Sequence, residues 1–145
     1  MLVQILVGAA AGALNIVIHA LLTVSTIRTA RGVADRRTMH PWLRLVAIMI
    51  ATVLVLMGAH TAEVFVWSAI YALTSAAPEG ADLVYFAFVN YTTLGYGDVL
   101  PVASWRLLGP ITAMNGVLLF GWSTAVIFEV LRKTISDDPP VAERP

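Results

Sequence analysis

The sequence predicts an all-α integral membrane protein with three transmembrane helices and one short re-entrant helix. Three observations predict it. Of 145 residues, 59% are hydrophobic and only 12% charged, too apolar a balance for a soluble domain of this length. Three stretches, 2–27, 45–73 and 107–131, reach the ~20 residues that a helix needs to cross a hydrocarbon core of ~30 Å. A fourth, 83–92, is too short to cross and runs into the glycine-rich segment Leu94-Gly95-Tyr96-Gly97. A helix that enters and turns back fits that length.

The first stretch has no basic residue before its apolar run, and the run is longer than a signal-peptide core; a retained helix is expected. It lacks the regularly spaced arginines of a voltage sensor, since Arg28 and Arg31 fall at its boundary. With them, Arg36, Arg37 and Arg44 stand against a single Asp35, and a short basic loop marks the cytoplasmic side of a membrane. Five cations there also predict attraction to anionic lipid, about 1 kcal/mol each.

The second stretch ends in the acidic turn Pro78-Glu79-Gly80-Ala81-Asp82, and the third ends in Arg132 and Lys133. This places the amino terminus outside, the first loop inside, the short helix entered from outside, and the carboxyl terminus in the cytoplasm. Trp42 is expected at the inner boundary and Trp67, Tyr71 and Trp105 at the outer one, as interfacial anchors. The tail 136–145, rich in proline and charge, is expected to be disordered and too short for a cytosolic ligand-binding domain. Residues 1–44 thus form a first helix and basic loop, 45–133 a core module, and 134–145 a short tail.

The chemistry lies in Thr92-Thr93-Leu94-Gly95-Tyr96-Gly97-Asp98. A chain that points successive carbonyls to one side alternates between right- and left-handed backbone, which glycine adopts without steric cost; Gly95 and Gly97 fit that need. Rings of such carbonyls replace the water shell of a dehydrated cation. The expected ligands are the carbonyls of Thr93, Leu94, Gly95 and Tyr96, with the Thr93 hydroxyl completing the innermost site and Gly97 closing the run. Leu94 and Tyr96 would then brace the loop from behind. The run occurs once in the chain, so four chains about one axis are implied, and no internal repeat is present.

From Asp82 to Lys133 the sequence resembles the pore module of potassium channels, especially the small bacterial two-helix type, here with an extra first helix. Tyr85-Phe86 occupies the place of that family's aromatic pair, Trp105-Arg106 follows the filter, and Gly116, Phe120 and Gly121 reproduce the inner-helix spacing. The resemblance implies a homotetrameric pore with a re-entrant pore helix, a selectivity-filter loop and K+ bound at Thr93, Leu94, Gly95 and Tyr96. It implies that Val117, Phe120, Thr124 and Phe128 line a cavity below the filter, with Phe128 as constriction. Gly116 is then a hinge or a close-packing position, and packing is favoured for Gly121.

Departures from that pattern shape three further expectations. Phe86 has no N–H to offer the filter tyrosine, so Asn90 is the candidate restraint on Tyr96. Val89 is apolar, so Tyr85 is the candidate partner of Asp98. Tyr91 stands where a small residue is usual and must find space behind the filter. The short helix directs the negative end of its dipole toward the cavity, and Asp82 can cap its start.

Polar residues inside the spans need partners. His60 and Glu63 share a helical face at i, i+3, and Asn15 is expected at the depth of His60. The expected role of these groups is polar contact between helices, or a pH-sensing one for the His60/Glu63 pair. Glu129 is expected to pair with Arg132 and Lys133, and the first helix to pack outside the second. Reading His19, His60, Glu63 and Glu129 as ligands of a membrane metalloenzyme is disfavoured, because His19 and Glu129 are placed near the inner face and Glu63 above the midplane. No catalytic residue, no nucleic-acid partner and no cofactor other than permeant K+ is expected. Absence of cysteine excludes disulfides and thiolate sites. The expectation is a potassium channel subunit of a bacterial plasma membrane; the alternatives are a weakly selective cation channel and a non-conducting regulatory subunit.

Overall fold

The computed structural model describes residues 1–34 and 40–136; Asp35, Arg36, Arg37 and the tail beyond Ser136 lie outside them. Four α-helices are present: α1 Leu2–Ala34, α2 Pro41–Thr74, α3 Leu83–Tyr91 and α4 Leu108–Ser136, with a short 3-10 turn at Ala103–Trp105. The three long helices are each long and apolar enough to cross a membrane, and α3 is the short helix expected between them. The protein is a multi-pass, all-helical membrane protein.

Each long helix buries one narrow stripe and leaves the rest apolar and open. On α1 the buried stripe is Gly8, Ala11, Asn15, His19, Thr26 and Ala30, spaced in threes and fours as one helical face requires. On α2 it runs Ile48, Thr52, Leu56, Ala59, Glu63, Trp67 and Tyr71. Leu14, Val17, Leu21, Leu54 and Met57 are exposed on the outer faces, where lipid is the matching solvent. A helix apolar all round with a small buried face is a membrane helix, not a surface helix of a globular domain.

The helix ends follow local chemistry. Pro41 opens α2, where its missing N–H costs nothing and its fixed φ suits a first turn. α3 starts at Asp82, whose Oδ1 accepts from the N–H groups of Val84 and Tyr85 at 3.0 and 3.1 Å, the cap expected from the sequence. Pro110 falls in the first turn of α4, where it breaks no internal hydrogen bond.

Two findings correct the sequence reading. First, α1 packs against both α2 and α4 and not on the outside of α2 alone. The Gln4 side-chain carbonyl accepts from Leu107 N at 3.0 Å, so the start of α1 caps the start of α4. A Cβ on Gly8 would lie 2.8 Å from Ile111 Cγ2, and one on Gly12 3.6 Å from Asn115 Nδ2. Small residues let the two backbones approach there, as in other membrane helix contacts.

Second, Trp67 and Tyr71 are not interfacial anchors. Both are fully buried in a cluster with Ala11, Val64, Phe86, Tyr91 and Leu108. Trp67 Nε1 donates to Asn115 Oδ1 at 3.0 Å, the Tyr71 and Thr112 hydroxyls are 2.6 Å apart, and the Tyr71 and Phe86 rings stack at 4.8 Å. Both polar tips have partners inside the bundle, so neither ring needs the water interface. Trp42, by contrast, is 58% exposed, and Trp105 packs partly buried on the rim of the same cluster.

Candidate functional site

α3 ends in a turn that sets the course of the loop after it. Thr93 N donates to Asn90 O at 3.1 Å and Leu94 N to Val89 O at 3.0 Å, with Thr93 in the left-handed region at φ 60°. This is the double hydrogen bond that commonly closes a helix, with threonine where glycine is usual. A β-branched residue at positive φ is strained, so the turn holds Thr93 against its own preference.

From there φ is positive at every second residue: 60° at Thr93, 62° at Gly95 and 78° at Gly97. That alternation is the backbone condition for carbonyls facing one side, and Thr93 joins the two glycines anticipated for it. Residues 92–98 are all exposed within one chain. Leu94 is 53% and Tyr96 68% exposed, so neither side chain is backed by its own chain.

The mouth of the loop is tied down at one point. Tyr85 Oη donates to Asp98 Oδ2 at 2.6 Å, the pairing expected once Val89 left Asp98 without an acidic neighbour. The hydrogen bond from Tyr85 holds the Asp98 carboxyl below the usual carboxylate range, and the same bond raises the Tyr85 phenol. Asn90 is placed differently from expectation. Its Nδ2 donates to Phe86 O at 3.0 Å, its Oδ1 lies against Gly109, and among the described residues no hydrogen bond joins it to Tyr96. An asparagine side chain can bond back to the carbonyl one helical turn before it, and here that contact holds Asn90 against its own helix.

Gly116 is a position of close packing. A Cβ there would stand 2.0 Å from the Tyr91 carbonyl oxygen, so only glycine lets α4 cross the end of α3. Gly121 has nothing within 4 Å and packs on nothing in its own chain, contrary to expectation; it lies on the exposed face of α4. Val117, Thr124 and Phe128 share that face. Phe120 is turned inward, its ring 4.8 Å from His60 and 5.4 Å from Tyr91. At 3.6 residues per turn it lies about 60° from Val117, far enough to join the buried stripe of Gly116 and Leu119.

Behind α3 the four helices meet at a polar cluster. Glu63 Oε1 is 2.8 Å from His19 Nδ1 and Glu63 Oε2 3.1 Å from His60 Nδ1. The Tyr91 hydroxyl donates to Glu63 Oε2 and lies 2.9 Å from His60 Nδ1. His60 Nε2 is 2.8 Å and His19 Nε2 3.4 Å from Ser123 Oγ. Tyr91 has thus found its space: its ring is buried and its hydroxyl is satisfied within the cluster.

This arrangement overturns two placements. Asn15 does not pair with His60; its Nδ2 donates to Asn115 Oδ1 at 3.0 Å and to Glu63 O at 3.3 Å. His19 is not at a different depth from Glu63 but in contact with it. Depth counted from the ends of apolar runs does not fix how far one helix slides along another, and the contacts of Asn15 and His19 with Glu63 set that register here. Glu129 is not part of the cluster, and pairs with Arg132 at 2.9 Å and Lys133 at 3.2 Å. The signal for the cluster was present as His19, Glu63 and Tyr91, three polar residues inside apolar runs, but their register was not.

No curated protein and no solved structure matches this chain. A family model described as an ion channel matches residues 59–133, a segment that contains the second half of α2, α3, the 92–98 loop, nearly all of α4 and most of the polar cluster. Since that match covers just over half the chain, the chain belongs to the ion channel family.

Proposed function

We propose that four copies of this chain form a potassium-selective channel, with K+ passing down its gradient between the carbonyls of Thr93, Leu94, Gly95 and Tyr96. The observation that carries the reading is the alternation of positive φ at Thr93, Gly95 and Gly97 within Thr-Leu-Gly-Tyr-Gly. Carbonyls in that alternation supply cation ligands without any charged side chain, and selectivity then rests on their number and field.

The uncovered loop supports the tetramer. Leu94 and Tyr96 have no backing in their own chain, and three neighbouring copies would supply it while bringing four loops to one axis. Val117, Gly121, Thr124 and Phe128, on the open face of α4, would line the cavity beneath. In this assembly α1 stands on the lipid side, the basic residues Arg28, Arg31 and Arg44 mark the cytoplasmic face of a plasma membrane, and the 92–98 loop opens outward.

Potassium uptake into vesicles reconstituted with the full-length protein tests the reading. Uptake that Gly95→Ala abolishes, with sodium uptake near the protein-free background, is the expected result. Equal uptake of both ions would replace it with a weakly selective channel. No uptake from correctly inserted protein would replace it with a non-conducting subunit.

A further inference from the structure

We propose that His19, His60 and Glu63 form a binding site for a divalent first-row transition-metal ion, Zn2+ being the best match, in the membrane behind the pore helix. The donor atoms, one from each residue, all lie within 4.8 Å of one another. Two imidazoles and a carboxylate suit Zn2+ and its neighbours and do not suit Ca2+ or Mg2+. The inference does not depend on which ion the pore conducts.

The proton count at Ser123 favours an added cation, a proton or a metal ion, over a network of neutral imidazoles. With Glu63 as carboxylate, the pattern assigns N–H to Nδ1 of both histidines, since each faces a carboxylate oxygen. Both Nε2 atoms are then acceptors, and both face the Ser123 hydroxyl. A hydroxyl has one proton, so one Nε2 goes without a donor.

A metal ion on the Nδ1 side removes that deficit. Each imidazole then binds through Nδ1 and carries its proton on Nε2, any proton in excess being released to solvent. Ser123 Oγ has two lone pairs and accepts both N–H groups. Ligating histidines characteristically donate their other N–H to such a partner, and here one hydroxyl serves both.

The donors must close around an ion. Ligand atoms around a tetrahedral Zn2+ at about 2.0–2.2 Å stand about 3.3 Å apart; His19 Nδ1 lies 2.8 Å from Glu63 Oε1 and His60 Nδ1 3.1 Å from Glu63 Oε2, while the donor set as a whole spans up to 4.8 Å and has to draw together by a side-chain rotation. Tyr91 Oη, 2.9 Å from His60 Nδ1, is in place as a fourth ligand. His19 and Glu63 are fully buried while the His60 side chain is 17% exposed, so an ion would enter past His60. Because Tyr91 lies two residues before Thr93, a bound ion would act on the end of the pore helix.

Full-length protein in detergent, stripped with chelator and dialysed against Zn2+, is the test, with metal content measured by elemental analysis and Co2+ as a spectroscopic probe of tetrahedral N/O ligation. One ion per chain is expected. His19→Gln and Glu63→Gln, which keep side-chain volume, should each weaken binding at least 100-fold, and Ser123→Ala about tenfold, the low end for loss of a ligand's hydrogen-bond partner. His40→Ala, removing the exposed third histidine at the start of α2, should change nothing. Binding lost with His40→Ala, or wild-type binding no tighter than that of a His19→Gln/His60→Gln variant of unchanged elution and helicity, would overturn the proposal.

Discussion

Polar groups on the two sides of the pore helix α3 are completed in opposite ways. Behind it, Glu63, His19, His60, Tyr91 and Ser123 find their partners within a single chain, with Glu63 and His19 fully buried. In front of it, residues 92–98 are exposed, and among the described residues their side chains are anchored to the rest of the chain by the Tyr85–Asp98 bond at the mouth and the Thr92 hydroxyl on Phe88 O. A membrane interior accepts the first arrangement because unpartnered polar groups there are costly. The second is tolerable only where other chains, ions or water complete it. The cluster is completed within one chain, and the loop is not.

If that division holds, damage behind α3 should unfold the chain, and damage in front should spare the fold. Glu63→Ala leaves two imidazoles and a phenol without their common acceptor. It should cost at least about 3 kcal/mol, since three buried donors each lose an acceptor worth about 1–3 kcal/mol, read as a lowered unfolding midpoint in detergent. An unchanged midpoint would mean that the cluster holds nothing together.

Gly116 and Gly121 form a matched pair on one helix. Gly116→Ala drives a methyl group into the Tyr91 carbonyl and should cost about 3 kcal/mol, at the upper end for overpacking. Gly121→Ala meets open space and should stay within about 0.5 kcal/mol. Equal effects in the isolated chain would refute the packing role of Gly116.

In front of α3 the effects are on titration and not on fold. Asp98 is depressed because Tyr85 stabilises its charged form, so this contribution is present above the ordinary carboxylate range and is lost as pH falls through the lowered value. Tyr85→Phe should move the Asp98 midpoint upward, back toward that range, as followed by its carboxyl carbon chemical shift. The unfolding midpoint at neutral pH should hardly move. An Asp98 midpoint that does not rise would show that the Tyr85 hydroxyl is not its main partner.

The smallest effect belongs to Glu129. Its contacts with Arg132 and Lys133 are exposed and lie along one helix, where water and salt screen them. Glu129→Gln should leave the unfolding midpoint within measurement error.

What was readable in advance divides along a physical line. Three membrane helices and a short one follow from length and hydropathy, which depend on one segment at a time. The Asp82 cap and the Glu129 pair are equally local. The Tyr85–Asp98 bond spans 13 residues and is legible through the family resemblance, because an apolar Val89 leaves Asp98 to the tyrosine of the aromatic pair.

The register between long helices was not legible. Hydropathy marks where an apolar run stops, whereas α1 continues through Arg28 and Arg31 to Ala34, since those long side chains can extend toward the interface without ending the helix. Nor does an apolar run carry the slide of one helix along another, which is what brings His19 to Glu63 and Asn15 to Asn115. Trp67 and Tyr71 were misplaced for a related reason: their partners Asn115 and Thr112 lie on a helix whose facing cannot be read from α2 alone.

A reversal potential under opposed potassium and sodium gradients reports whether ions pass between the carbonyls of Thr93 to Tyr96. Purified full-length protein in a planar bilayer should reverse near the potassium equilibrium potential, with the current lost in Gly95→Ala. Reversal near zero, or a current that survives Gly95→Ala, would contradict a selective pathway through this loop.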